Sequence, residues 1–83
     1  MENQTEILQT SDTRTASYLI SVNIPLLRII KSNPQRIVFC FPQNEEVKHL
    51  LQLYWTNKAQ CNPRLLFEKY DYVLDLVHQD YDI

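Results

Sequence analysis

Eighty-three residues, 45% of them hydrophobic and 22% charged, suffice for one small core and have the balance of a globular rather than a disordered chain. The net charge of -2 argues against a generally cationic nucleic-acid binder while leaving room for a local basic patch. Glycine is absent, which excludes the dinucleotide-binding GxGxxG loop, the P-loop, the GxSxG nucleophile elbow and the EF-hand loop, because each needs a positive φ or a close backbone approach.

Left-handed and turn positions then fall to asparagine, and Asn23, Asn33, Asn57 and Asn62 stand at the breaks between apolar segments. Residues 1–5 read as a loose polar tail ahead of a single α+β domain over residues 6–83. Glu6 to Gln9, with Ile7 and Leu8, reads as a short edge strand. Thr10 or Ser11 is placed to cap a helix, Asp12 suits the positive end of its dipole, and Ala16, Leu19 and Ile20 recur at helical spacing. The first helix is expected over 12–22, stopped by Asn23 and Ile24-Pro25.

Leu26 to Lys31 reads as a strand, Ser32-Asn33-Pro34-Gln35 as a turn with proline at its first central position, and Arg36 to Phe41 as the second arm of a β-hairpin. Ile37-Val38-Phe39-Cys40-Phe41 is the densest β signal and is expected as the central strand, closed by Pro42, which cannot donate to a ladder. Pairing Ile29 with Phe39 and Leu27 with Phe41 gathers large apolar groups on one face and is preferred over a one-residue slip that pairs Ile30 with Phe39.

Asn44 can cap a second helix, Glu45 and Glu46 occupy its first turn, and Val47, Leu50, Leu51, Tyr54 and Trp55 form a core-facing stripe that ends near Thr56-Asn57. Asn62-Pro63 reads as N-cap and first position of a last helix reaching about Gln79. At about 100° per residue that helix carries two apolar stripes. Leu66, Phe67, Tyr70, Val73, Leu74, Val77 and Tyr81 form a broad core face, and Leu65, Tyr72 and Leu76 gather on a separate side, with Glu68, Asp71, Asp75 and His78 between. The second stripe either borders the core, is partly covered by the tail, or meets another chain, since soluble monomers seldom leave apolar patches uncovered.

Ser11-Asp12-Thr13 leading to Ala16-x-Tyr18-Leu19, the strand Val38-Phe39-Cys40-Phe41, and Tyr54-Trp55-Thr56-Asn57 running on to Asn62-Pro63-Arg64 resemble a small prokaryotic and phage family known only as a domain of unknown function. The resemblance covers roughly Gln9 to His78 and implies the order helix, hairpin, helix, helix. Its pattern favours glycine after the first helix and in the hairpin turn, where Asn23 and Asn33-Pro34 stand here. It transfers no catalytic residue.

The residues themselves offer little chemistry. His49 one turn from Glu45 and Glu46, and His78 near Asp75 and Asp82, each fall short of a metal-ligand set, so no metal site and no cofactor are expected. Cys40 reads as a small hydrophobe in a strand; Cys61 precedes a helix but has no base fixed beside it, and the two form no CxxC pair. No catalytic residue is assigned, and the chain is expected to be a non-enzyme. Glu2 and Glu6 stand where a secretory signal would be basic, and the uncharged run from Thr15 to Leu27 is too short and too polar to span a bilayer; a cytoplasmic protein without membrane partners is expected.

Charge divides the chain. From Ile24 to Arg64, Arg28, Lys31, Arg36, Lys48, Lys58 and Arg64 face only Glu45 and Glu46, whereas from Leu65 onward Lys69 is the one cation among Glu68, Asp71, Asp75, Asp80 and Asp82. The favoured reading is a protein-interaction module or accessory subunit that binds a protein partner, or itself as a homodimer, through Leu65, Tyr72 and Leu76 of the last helix. The alternative is a nucleic-acid-binding accessory protein that uses a basic hairpin of Arg28, Lys31 and Arg36, with Trp55 or Tyr18 for base stacking.

Overall fold

Two asparagines do the work that glycine usually does at helix ends. The computed structural model describes residues 6–33 and 36–78, and within them run β1 (Glu6–Thr10), α1 (Thr13–Ser21), β2 (Arg28–Asn33), β3 (Arg36–Gln43), α2 (Glu45–Trp55) and α3 (Pro63–His78). Asn23 follows α1 with φ 73° and Asn57 follows α2 with φ 63°. Beside Asn23, the Ile24 N–H reaches back to the Leu19 carbonyl at 2.9 Å and the Asn23 N–H to that of Ile20 at 3.0 Å. Beside Asn57, Lys58 N–H bonds Leu53 O at 2.8 Å and Asn57 N–H bonds Tyr54 O at 3.2 Å. Both are Schellman closures, and the first is locked by buried Leu19 and Ile24.

The helix starts are equally local. Asp12, rather than Thr10 or Ser11, caps α1: its carboxylate accepts from Arg14 N–H at 3.1 Å and from the Thr15 hydroxyl at 2.7 Å, while Thr10 Oγ1 accepts from Asp12 N–H. Asn44 Oδ1 accepts from Val47 N–H at 2.9 Å, and Asn62 Oδ1 from Leu65 N–H at 3.1 Å, with Pro63 at the first helical position as expected.

The strands form one antiparallel sheet in the order β1-β3-β2. The expected third strand is present and extends to Thr10, and the expected hairpin register holds at Ile29 opposite Phe39, whereas Leu27 stands before the strand, 47% exposed, and makes no ladder pair with Phe41. Three boundaries differ. β2 starts at Arg28 rather than Leu26, and it runs on through Ser32 and Asn33, with Asn33 opposite Arg36 after a register shift. The expected turn residues Pro34 and Gln35, the tail 1–5, and Gln79 and Tyr81 lie outside the described residues.

Pro42 does not close β3, which continues to Gln43 with Pro42 opposite Ile7. The reason lies in strand alternation. The Cys40 carbonyl faces β2, where it accepts Leu27 N–H at 2.7 Å. Two residues on, the Pro42 nitrogen faces the same side, beyond the point where β2 begins, so no ladder bond is lost.

Alternation also divides the sheet into two unlike faces. Leu8, Ile29, Ile37, Phe39 and Phe41 share the helix side and belong to the core with Ala16, Leu19, Val47, Leu51 and Val73. Cys40 is fully buried yet stands outside that cluster, on the opposite face between Gln9 and Arg28. The molecule measures 39 × 37 × 18 Å, the thickness of one sheet layer and one helix layer.

α1 lies inside the helix layer, with α3 packed chiefly against it. Thr15, Ala16, Ser17, Tyr18, Leu19 and Ser21 are all buried, so its small residues admit close neighbours on several sides. The buried hydroxyls find partners nearby: Ser17 Oγ donates to Thr13 O at 2.6 Å and Ser21 Oγ to Tyr18 O at 2.8 Å.

Candidate functional site

Two large aromatics expected in the core stand in water: Trp55 is 67% exposed and Phe67 66%. For Phe67 the cause is the width of the apolar arc on α3. From Tyr72 through Leu65, Leu76, Val73, Leu66, Val77, Tyr70 and Leu74 to Phe67 the arc covers about 220° of the helix, more than one neighbouring layer can cover. The core takes the middle. Val73 is fully buried, Leu66 and Val77 pack against the core beside it, and the two ends, Phe67 and the 48%-exposed Tyr72, are left out. The true core line therefore runs between the two stripes that the sequence suggests.

Trp55 lies at the margin of the α2 stripe, about 80° round from fully buried Val47 and in the last residue of the helix. Tyr54 turns inward in its place and stacks on Tyr18, with ring centroids 4.9 Å apart and planes inclined by 21°.

Exposure of Phe67 opens a groove. Arg14 and Ser17 of α1, Tyr54 of α2, and Leu66, Phe67 and Tyr70 of α3 line a cavity of about 270 Å³. Its walls are largely aromatic and aliphatic, and among the described residues the Arg14 guanidinium is the single charged group. Ser17 is already committed to the Thr13 carbonyl. The Tyr54 wall is stiffened by Tyr18, which stacks on it and whose hydroxyl donates to Leu50 O at 3.3 Å. Burial first, and the charge of nearby Cys61 second, raise the Tyr18 phenol above its ordinary range. The signal that could have found this groove was the width of the α3 arc, too broad for one core contact.

The stripe of Leu65, Tyr72 and Leu76 lies along one flank of α3. Leu65 and Leu76 are half-buried and Tyr72 is exposed, with the Lys69 ammonium 5.9 Å from its ring centroid. The three hairpin cations do not converge. Arg28 and Arg36 fall on the helix-free face of the sheet, whereas Lys31 alternates to the helix side, where its Nζ donates to the Leu76 carbonyl at 3.2 Å. Neither proposed stacking ring joins them, since Tyr18 is buried and Trp55 stands on α2. Cys40 and Cys61 are unbridged. Among the described residues no three of His, Cys, Asp and Glu come together as a metal-binding group, and no helix is long and apolar enough to cross a membrane.

No curated protein and no solved structure matches the chain. A family pattern does, over residues 5–70, a span that takes in the whole sheet, α1, α2 and the first half of α3. All six groove-lining residues fall inside it, whereas Tyr72 and Leu76 lie beyond. The pattern is that of the domain of unknown function DUF5659, and the chain belongs to that family.

Proposed function

We propose that this domain is a non-catalytic protein-interaction module, a small accessory subunit that seats its partner in the groove between α1 and α3. The observation that carries this reading is Phe67, two-thirds exposed on the wall of a 270 Å³ cavity whose other walls are Leu66, Tyr54 and Tyr70. A ring held in water beside an apolar recess is what an anchor side chain from a partner desolvates, and such pockets concentrate binding energy. Arg14 at the wall selects a segment that carries a carboxylate next to its apolar anchor. Among the described residues the lining holds no carboxylate, imidazole or thiol to act as base or nucleophile. A cytoplasmic setting agrees with two unbridged thiols. Tyr72 contributes at most to the margin of this contact, and Leu65 and Leu76 are already half-covered.

The test is a pull-down from the native host with tagged wild type, Phe67→Ser and Tyr72→Ser, each divided into nuclease-treated and untreated halves and read by mass spectrometry. The groove predicts a protein that survives nuclease, is lost with Phe67→Ser and is kept with Tyr72→Ser. Equal capture by all three proteins overturns the groove. Loss with nuclease alone overturns it in favour of nucleic acid, and loss with Tyr72→Ser alone moves the contact to the flanking stripe.

A further inference from the structure

An antiparallel sheet with one solvated face ordinarily shows polar side chains there. This sheet does so only in part, with Gln9, Arg28 and Arg36 exposed there among apolar neighbours. By alternation its helix-free face carries Ile7, Ile30, Val38 and Pro42, with Ile7 44% exposed and the other three half-buried. Its charged groups are the exposed Arg28 and Arg36, and the carboxylate of β1, Glu6, alternates to the other side with Leu8. Among the described residues the face holds apolar side chains, the amide of Gln9 and cations, and no carboxylate.

The opposite surface of the molecule has the complementary character. On the outer side of α3, away from fully buried Val73, Glu68, Asp71 and Asp75 are exposed in a strip about 60° wide, with exposed Arg64 on the same line one turn before Glu68 and half-exposed Tyr72 at its border, so the strip is net acidic. The two surfaces lie on the two sides of a plate 18 Å thick. They cannot meet within one molecule. Between two molecules they can.

We propose that a second copy of the chain docks the acidic outer face of its α3 on the helix-free face of the sheet. The added helix completes a helix–sheet–helix sandwich, covers Ile30 and Val38, and sets carboxylates against Arg28 and Arg36. Stacking two sheet faces instead would bring together surfaces whose described charges are all positive. The contact is head-to-tail, so each copy still offers an unused sheet face and an unused helix, and the product is a short chain or ring rather than a closed two-fold dimer. Three strands about 4.8 Å apart and five to eight residues long present a face of at most roughly 14 by 25 Å, about 350 Å². That is less than half the roughly 800 Å² per partner of a standard stable interface, so the association is weak, reversible and weakened by salt. It uses a surface separate from the groove and stands whether or not the groove binds a partner.

Sedimentation velocity up to millimolar concentration tests it with the wild type, R28D/R36D and E68K/D71K/D75K, circular dichroism confirming that each is folded. The weight-average mass of the wild type should rise with concentration and fall back when salt is added. Each variant alone should associate about tenfold or more weakly, because like charges now face one another. An equimolar mixture of the two should associate again, since the retained α3 of the first matches the retained sheet of the second and their reversed surfaces also match. Single variants R36E and D75K repeat the comparison if a multiple variant does not fold. A wild type that stays monomeric at millimolar concentration, variants that associate like wild type, or a mixture that fails to recover overturns the proposal.

Discussion

Phe67→Ala and Val73→Ala together test how α3 is rotated. Fully burying a phenylalanine and then deleting its ring costs about 3–5 kcal/mol. Since 66% of Phe67 already stands in water, about a third of that is at stake, close to 1–1.5 kcal/mol. Val73 is completely buried, and removing two methyl groups at about 0.8 kcal/mol each, with a small cavity left behind, costs about 2 kcal/mol. The smaller residue should therefore be the more damaging one. Urea unfolding monitored by circular dichroism, with unchanged m-values, gives both numbers. In thermal melts each kcal/mol corresponds to about 4–8 °C for a domain of this size. A loss of about 3 kcal/mol or more for Phe67→Ala, or a loss larger than that for Val73→Ala, would refute this rotation of α3 and the groove that depends on it.

The asparagine closures should be specific to side-chain type: Asn23→Ala and Asn57→Ala should each lose about 1 kcal/mol in urea unfolding, because alanine resists a positive φ, while Asn23→Gly should match or exceed wild type. The Tyr18 phenol has a folded-state pKa raised above the unfolded value near 10, so the native state keeps its proton when the unfolded chain has lost it. Its contribution to stability is then complete below about pH 10 and is lost as the pH rises through the folded value. Alkaline unfolding followed with tyrosinate absorbance should show this slope, and Tyr18→Phe should remove it even though that variant also loses the bond to the Leu50 carbonyl.

Local interactions explain why so much of the fold is legible in the residues. A cap is a side chain bonded to a backbone N–H two or three residues ahead, and a helix closure depends on one residue tolerating positive φ, so Asn44, Asn62-Pro63, Asn23 and Asn57 carry their meaning at short range. The hairpin register is as readable, because a one-residue slip would turn Ile29, Phe39 and their neighbours out of the core. Even so, Asp12 took the cap from Thr10 and Ser11, which stand just ahead of it and offer the same chemistry. β3 runs past Pro42, because whether a proline breaks a ladder depends on which side its nitrogen faces and whether a neighbouring strand is there.

The residues alone determine the set of elements, their order, the ends of the helices and the pairing of the hairpin, since each follows from contacts within a few residues or from a two-residue alternation that admits one answer. Tertiary structure alone decided which part of an over-wide apolar arc is buried. Periodicity assigns Phe67, Val73 and Tyr72 to an apolar side of α3, but only the single layer of α1 and sheet beneath the helix limits how much of that side is covered, leaving Phe67 to wall a groove and Tyr72 to border an acidic strip. The same holds for charge: Arg28, Lys31 and Arg36 are close along the chain, and alternation about the strand sends Lys31 to α3 and the two arginines to the bare face of the sheet.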